Sequence, residues 1–117
     1  AIFVFVVRPD TFALMKIPKD FALDSLVNQL RHGIYGFYRA NRIPALYAQT
    51  AQQYTEAATI LYDKLIAPVQ PLLPKRLYIV PDGVLGYVPF EALLMETPVG
   101  KPYNFDSHRY FGKEHII

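Results

Sequence analysis

The strongest constraint on this chain is a stripe that steps by four and three residues in turn: Tyr47, Ala51, Tyr54, Ala58, Leu61 and Leu65. Only a helix brings residues at that spacing onto one face, so the pattern predicts a helix over 45–67, stopped by Pro68. A second stripe precedes it. Leu23, Leu26, Val27, Leu30, Ile34, Phe37 and Tyr38 share one helical face, and Asp20 is a plausible N-cap. The corresponding helix is expected to run to about Ala40, closed by Asn41 and Pro44. Gly33 and Gly36 within it each cost about 1 kcal/mol relative to Ala.

Strand signals flank these helices. Ile2-Phe3-Val4-Phe5-Val6-Val7 is β-branched and aromatic without alternation, which marks a strand apolar on both faces. After Pro9 and Asp10, residues 11–17 read as a second strand, forming a hairpin with the first and ended by Pro18. Pro68, Pro71 and Pro74 make residues 68–74 a rigid connector. It leads into a short strand over 76–80, followed by the turn signal Pro81-Asp82-Gly83. Pro89 is suited to the first position of a short helix through Leu94. Residues 96–114 show no period and are expected to form a mobile loop, and His115-Ile116-Ile117 reads as the start of a further strand.

Strands separated by long helices predict a single α/β domain over 1–117 with a parallel or mixed sheet covered by helices. Two substantial helices and a stub cannot cover both faces of such a sheet. An open sheet edge or an exposed apolar face is therefore expected, and with it homo-oligomerisation or a partner. The first residue is Ala1, inside a strand-like run, so the chain reads as a piece of something longer.

Composition narrows the functional classes. The 117 residues are 52% apolar and 19% charged, which argues for a packed core rather than disorder. The net charge is +2 and the basic residues (Arg31, Arg39, Arg42, Lys64, Lys75, Arg76, Arg109) are scattered, giving no nucleic-acid or membrane-binding stripe. There is no cysteine, hence no disulfide framework and no thiolate nucleophile among these residues; a reducing, cytoplasmic setting fits. Ile2 to Val7 is far too short to span a bilayer and has no signal-peptide flanks.

The most specific signal lies in residues 61–94. A helix ends in Leu61-Tyr62 and Leu65-Ile66-Ala67-Pro68, the proline connector and strand follow, and then come Pro81-Asp82-Gly83, Leu85, Pro89-Phe90 and Ala92-Leu93. In order and spacing this resembles the CHAT domain, a bacterial family of caspase- and separase-like proteins, and the chain resembles its N-terminal, non-catalytic part. The upstream hairpin and first helix match the family in architecture alone. The resemblance implies a partial caspase-like fold, truncated within the domain. It implies that the parent is a cysteine peptidase whose His–Cys dyad lies on later strands, so this piece is no enzyme alone. The implied partners are the C-terminal catalytic half and a tetratricopeptide-repeat array on the N-terminal side. A non-catalytic interaction module of the same fold is the alternative. The motif residues Pro81, Asp82, Gly83, Leu85, Pro89, Phe90, Ala92 and Leu93 carry structural roles: Asp82 closing an Asx-type turn, Gly83 supplying positive φ, Pro89 starting a helix, Phe90 pinning it.

Other candidates have blander readings. Asp82 as an acid after a strand competes with its turn role, and Glu91 reads as a first-turn acid on the helix dipole. His32-Gly33 imitates a catalytic pair but sits mid-helix. Asp106, His108 and His115 match no zinc spacing. Ser25 or Ser107 with a His and Asp82 lacks a nucleophile elbow. Gly83 and Gly86 make no phosphate loop. Tyr35, Tyr38, Tyr47, Tyr54 and Tyr62 read as helix-core aromatics, or as an interface with a neighbouring module. Nothing in the pattern calls for a metal or cofactor.

Overall fold

The computed structural model describes residues 2–40, 44–97 and 108–117, with side chains described for all of these except 37–40 and 44–47. Ile2–Arg8 (β1) and Thr11–Ile17 (β2) form an antiparallel hairpin in register from Ile2 opposite Ile17 to Arg8 opposite Thr11. Pro9 and Asp10 make the turn between them. Leu23–Ala40 (α1) and Pro44–Leu65 (α2) are the two long helices. Three 3-10 turns follow, at Ala67–Leu72, Gly83–Tyr87 and Phe90–Ala92, and then a single helical turn, Phe111–Glu114 (α3).

The molecule is thus mixed α/β, but its sheet differs from the one expected. Among the described residues the sheet has two strands and is antiparallel, not parallel. Residues 76–80 do not form a strand. They hold a single parallel bridge, Arg76 to Ile116, made by Ile116 N–H to Lys75 O (2.8 Å) and Leu77 N–H to Ile116 O (2.7 Å). A ladder needs a neighbour along its length, and His115-Ile116-Ile117 supplies one only at residues 75–77. The short helix expected after Pro89 is one 3-10 turn, with Ala92 N–H bonded to Pro89 O at 2.9 Å.

The proline connector also departs from an extended spacer. Pro68 has no N–H and its ring crowds the preceding turn, so α2 ends at Leu65 and the chain tightens into the turn Ala67–Leu72, burying Val69. At the other end, α1 begins at Leu23, three residues after Asp20. Ala22 O accepts the first helical bond, from Leu26 N–H at 2.9 Å, while the Asp20 carboxylate faces the Lys64 ammonium at 3.7 Å.

The core lies between the helices. From α2 it takes Ala51, Tyr54, Ala58, Leu61 and Leu65, all buried, and from α1 Leu23, Val27 and Leu30. These residues belong to the two helical stripes of the sequence, and the period of 3.6 is what delivers them to one interface. Gly33 lies in close approach to the Tyr54 backbone, and Gln29 Nε2 donates to Gln53 O across the same seam (3.1 Å). Leu93, Leu94 and Phe111 complete the core with no exposed surface. Phe111 and His108, from the aperiodic C-terminal region, are therefore packed; residues 98–107 of the expected mobile loop lie outside the described residues. No described helix is long and apolar enough to cross a membrane.

The hairpin explains its lack of alternation. Val6 and Ile17 are buried on its inner face, whereas Phe3, Phe5, Val7, Phe12 and Leu14 stand on the outer face, each more than half exposed. Both faces are apolar, and among the described residues the outer one is uncovered.

Candidate functional site

The 81–93 motif separates into an exposed corner and an anchored end. Pro81, Asp82 and Gly83 face solvent, and Gly83 adopts φ +60°, a conformation that costs an L-residue with a Cβ. The turn is closed by the backbone, Leu85 N–H to Asp82 O at 3.3 Å. The Asp82 side chain makes no capping hydrogen bond, so the Asx-type closure expected of it is not what holds this turn. Val88 N–H to Leu85 O (3.1 Å) finishes the first 3-10 turn. Pro89, Phe90 and Ala92 form the second, half-buried, and Leu93 is fully buried.

Three contacts clamp the anchored end. Tyr54 Oη, on α2, donates to Ala92 O. Phe111 N–H donates to Leu93 O at 2.8 Å, and Met95 N–H to Arg109 O at 2.9 Å beside an antiparallel bridge from Leu94 to Tyr110. Burial, reinforced by nearby Tyr110, pushes the Tyr54 hydroxyl well above the ordinary tyrosine range, so it stays a donor. Leu85, Phe90 and Ala92 pack on the core. Of the eight motif residues only Asp82 carries an ionisable side chain, and none carries a thiol, hydroxyl or amine.

Two shallow hollows border α1. Gly86, Tyr87, Val88 and Pro89 face Arg31, Ile34 and Tyr35 across about 390 Å³. The Arg31 guanidinium lies 5.0 Å from the Tyr87 ring centre and 5.8 Å from that of Tyr35, within cation–π range. The second hollow, about 530 Å³, includes Ser25, His32 and Gln53. Ser25 and His32 thus share a hollow, and Asp82 is not part of it. Among the described residues no group of three or more His, Cys, Asp or Glu side chains could hold a metal ion. Asp106 and Ser107 lie outside the described residues.

One polar network has no signal in the sequence, because His115 lies 45 and 41 residues from its partners Gln70 and Pro74. Tyr62 Oη donates to Gln70 Oε1 at 2.7 Å, the Gln70 amide meets His115 Nε2 at 2.9 Å, and His115 Nδ1 meets Pro74 O at 2.8 Å. A carbonyl can only accept, so Nδ1 bears the proton and Nε2 accepts from Gln70. Phe111 packs against the imidazole at a tilt of 38°, with ring centres 4.7 Å apart. Both nitrogens are committed, and through them His115 pins the C-terminal residues to Gln70 and Pro74. The Tyr62 hydroxyl is also shifted upward, chiefly by burial, with Arg109 opposing and Asp63 and Glu114 adding to the shift.

Residues 76–80 approach this region with alternating exposure. Leu77 and Ile79 pack on the core, while Tyr78 is 100% and Val80 92% exposed. No family model, curated protein or solved structure matches this chain.

Proposed function

We propose that this chain is framework for a larger α/β domain of the CHAT type, whose reactive His and Cys stand on other residues of the parent protein. What supports the reading is the segment 76–80. It packs alternate side chains, Leu77 and Ile79, on the core, and among the described residues it is paired at one end only, with Tyr78 and Val80 turned to solvent. Unpaired backbone and exposed β-branched and aromatic side chains are what a strand presents when its neighbours are missing. The motif 81–93 then acts as a corner that holds this strand against α2 through the Tyr54 to Ala92 bond. The role of Pro81, Asp82, Gly83, Leu85, Pro89, Phe90, Ala92 and Leu93 is mechanical. In the parent, a thiolate activated by His would attack the peptide carbonyl, and a cytoplasmic setting goes with that chemistry.

The test is peptide hydrolysis. The 117-residue chain is expected to be inert. The full product of its gene is expected to cleave peptides and to lose activity on thiol alkylation. Hydrolysis by the chain alone, or a full product lacking both residues after strands, would sink the peptidase reading. A non-catalytic interaction module of the same fold is the second reading, favoured by the apolar hairpin face left uncovered among the described residues. A full product that binds a partner stably but never hydrolyses peptide would select it.

A further inference from the structure

We infer that the hollow between α1 and residues 86–89 is a docking site for an acidic peptide segment of a partner protein. The segment's side-chain carboxylate meets Arg31, and an adjoining apolar residue lies against Ile34, Val88 and Pro89. The site stands apart from the peptidase reading, because Arg31, Tyr35 and Tyr87 are not among the eight motif residues.

The charge of Arg31 is unanswered among the described residues. This half-buried side chain stands mid-helix, and the residues three and four away in α1, Val27, Asn28, Ile34 and Tyr35, carry no carboxylate to pair with it. Its guanidinium lies 5.0 Å from the Tyr87 ring centre and 5.8 Å from that of Tyr35. A cation–π contact uses the charge and occupies no N–H. The five donors of the planar fork therefore have no acceptor among the described residues, and they suit a two-point contact with a carboxylate. Arg8, the other half-buried arginine described, is by contrast committed: it donates to Leu72 O at 3.2 Å and faces the Asp10 carboxylate at 3.6 Å. Arg109 faces Glu96 and Glu114.

The lining selects the rest of the ligand. Among the described residues that form the hollow none is acidic, and Ile34, Val88 and Pro89 are apolar. An anion without an apolar part would leave that lining uncovered. An apolar group without an anion would bury the guanidinium unpaired, which is costly. The occupant therefore carries both. A volume of about 390 Å³ is at the small end for a ligand site and suits a few residues of peptide. Tyrosine and arginine are also the residues that dominate protein–protein hot spots, since rigid rings and a planar fork lose little entropy when covered. Tyr35 and Tyr87 are 57% and 61% exposed and available for such cover. A contact of this size is weak, with a dissociation constant on the order of hundreds of micromolar.

Nuclear magnetic resonance titration of the isotope-labelled 117-residue chain with the acetylated, amidated peptide Ala-Leu-Glu-Phe-Ala tests this. Saturable shifts are expected at Arg31 Nε and at the Tyr35, Tyr87 and Val88 amides below about 5 mM peptide, weakening as salt is raised. The same peptide with glutamine in place of glutamate should bind about tenfold more weakly, a comparison that needs no variant of the protein. Arg31→Gln removes no hydrogen bond among the described residues, so its circular dichroism should be unchanged while its affinity falls about tenfold. Arg31→Lys, which keeps the charge without the fork, should recover only part of that loss. Absence of shifts, equal binding of the glutamine peptide, or undiminished binding by Arg31→Gln would each overturn the site. Phenylacetate binding as tightly as the peptide would overturn the peptide as its occupant in favour of a free organic acid.

Discussion

Replacing Gly33 with alanine adds one methyl group where α1 lies against the Tyr54 backbone of α2. A Cβ there would lie 2.6 Å from Tyr54 N and 2.7 Å from both Tyr54 Cα and Cβ. Carbon pairs are at their best separation near 3.5–4.0 Å, so the helices would have to part by roughly 1 Å. Because two of the three atoms met are backbone, no side-chain rotation can make room. Alanine gains about 1 kcal/mol in helix propensity over glycine. Against this stands overpacking of typically about 1–3 kcal/mol, with further loss because Leu30, Ala57, Ala58 and Leu61 are fully buried in the same core. The balance is a destabilisation of about 1–2 kcal/mol, or a melting point lower by roughly 5 °C or more. Thermal and urea unfolding followed by far-ultraviolet circular dichroism would measure it. Gly36→Ala is the internal control. Its Cβ meets the Thr50 Cγ2 methyl at 2.9 Å, the end of a side chain that can shift. That variant should stay within about 1 kcal/mol of the parent. A Gly33→Ala protein as stable as the parent, or more so, would refute the close-approach argument.

Tyr54→Phe removes the bond to Ala92 O and should cost about 1–2 kcal/mol by urea titration. The Tyr54 hydroxyl is raised above its ordinary value of 10.0 in the folded state. The neutral form is thus favoured by folding, and its contribution is intact below about pH 10 and declines as pH rises further. The Phe variant should accordingly lose less stability than the parent between about pH 10 and 12. Gly83→Ala places a Cβ in open space but at φ +60° and should cost about 1–2 kcal/mol, with Gly83→Asn costing less. Gln70→Leu strands the Tyr62 hydroxyl and His115 Nε2 together and should cost about 1–3 kcal/mol. Amide exchange should then quicken at Leu77 and Ile116, whose bridge His115 anchors; unchanged protection there would contradict the pinning role.

Local order in this chain is readable to the extent that it is set by neighbours in sequence. The helical stripes, the hairpin with its Pro9-Asp10 turn and the positive φ at Gly83 follow from periodicity, turn chemistry and the missing Cβ, which act over a few residues. The candidate site is less legible. Its residues announce a turn and a helix start, but closure by Asp82 O rather than the carboxylate, and the clamp by Tyr54 thirty-eight residues away, depend on where α2 lies.

The failure at residues 76–80 has the same origin. A run of β-formers has strand propensity, yet a strand exists only through the backbone groups of another segment. Among the described residues a single bridge at Arg76 is all that is offered, and the sheet is the antiparallel hairpin. Likewise, the apolar run Ile2 to Val7 makes both faces of β1 hydrophobic; which one is covered is a matter of packing, and the answer leaves Phe3, Phe5 and Val7 outside. Periodicity and turn residues thus dictate which elements this polypeptide can make. Pairing and cover, being properties of segments distant along the chain, are settled by three-dimensional assembly.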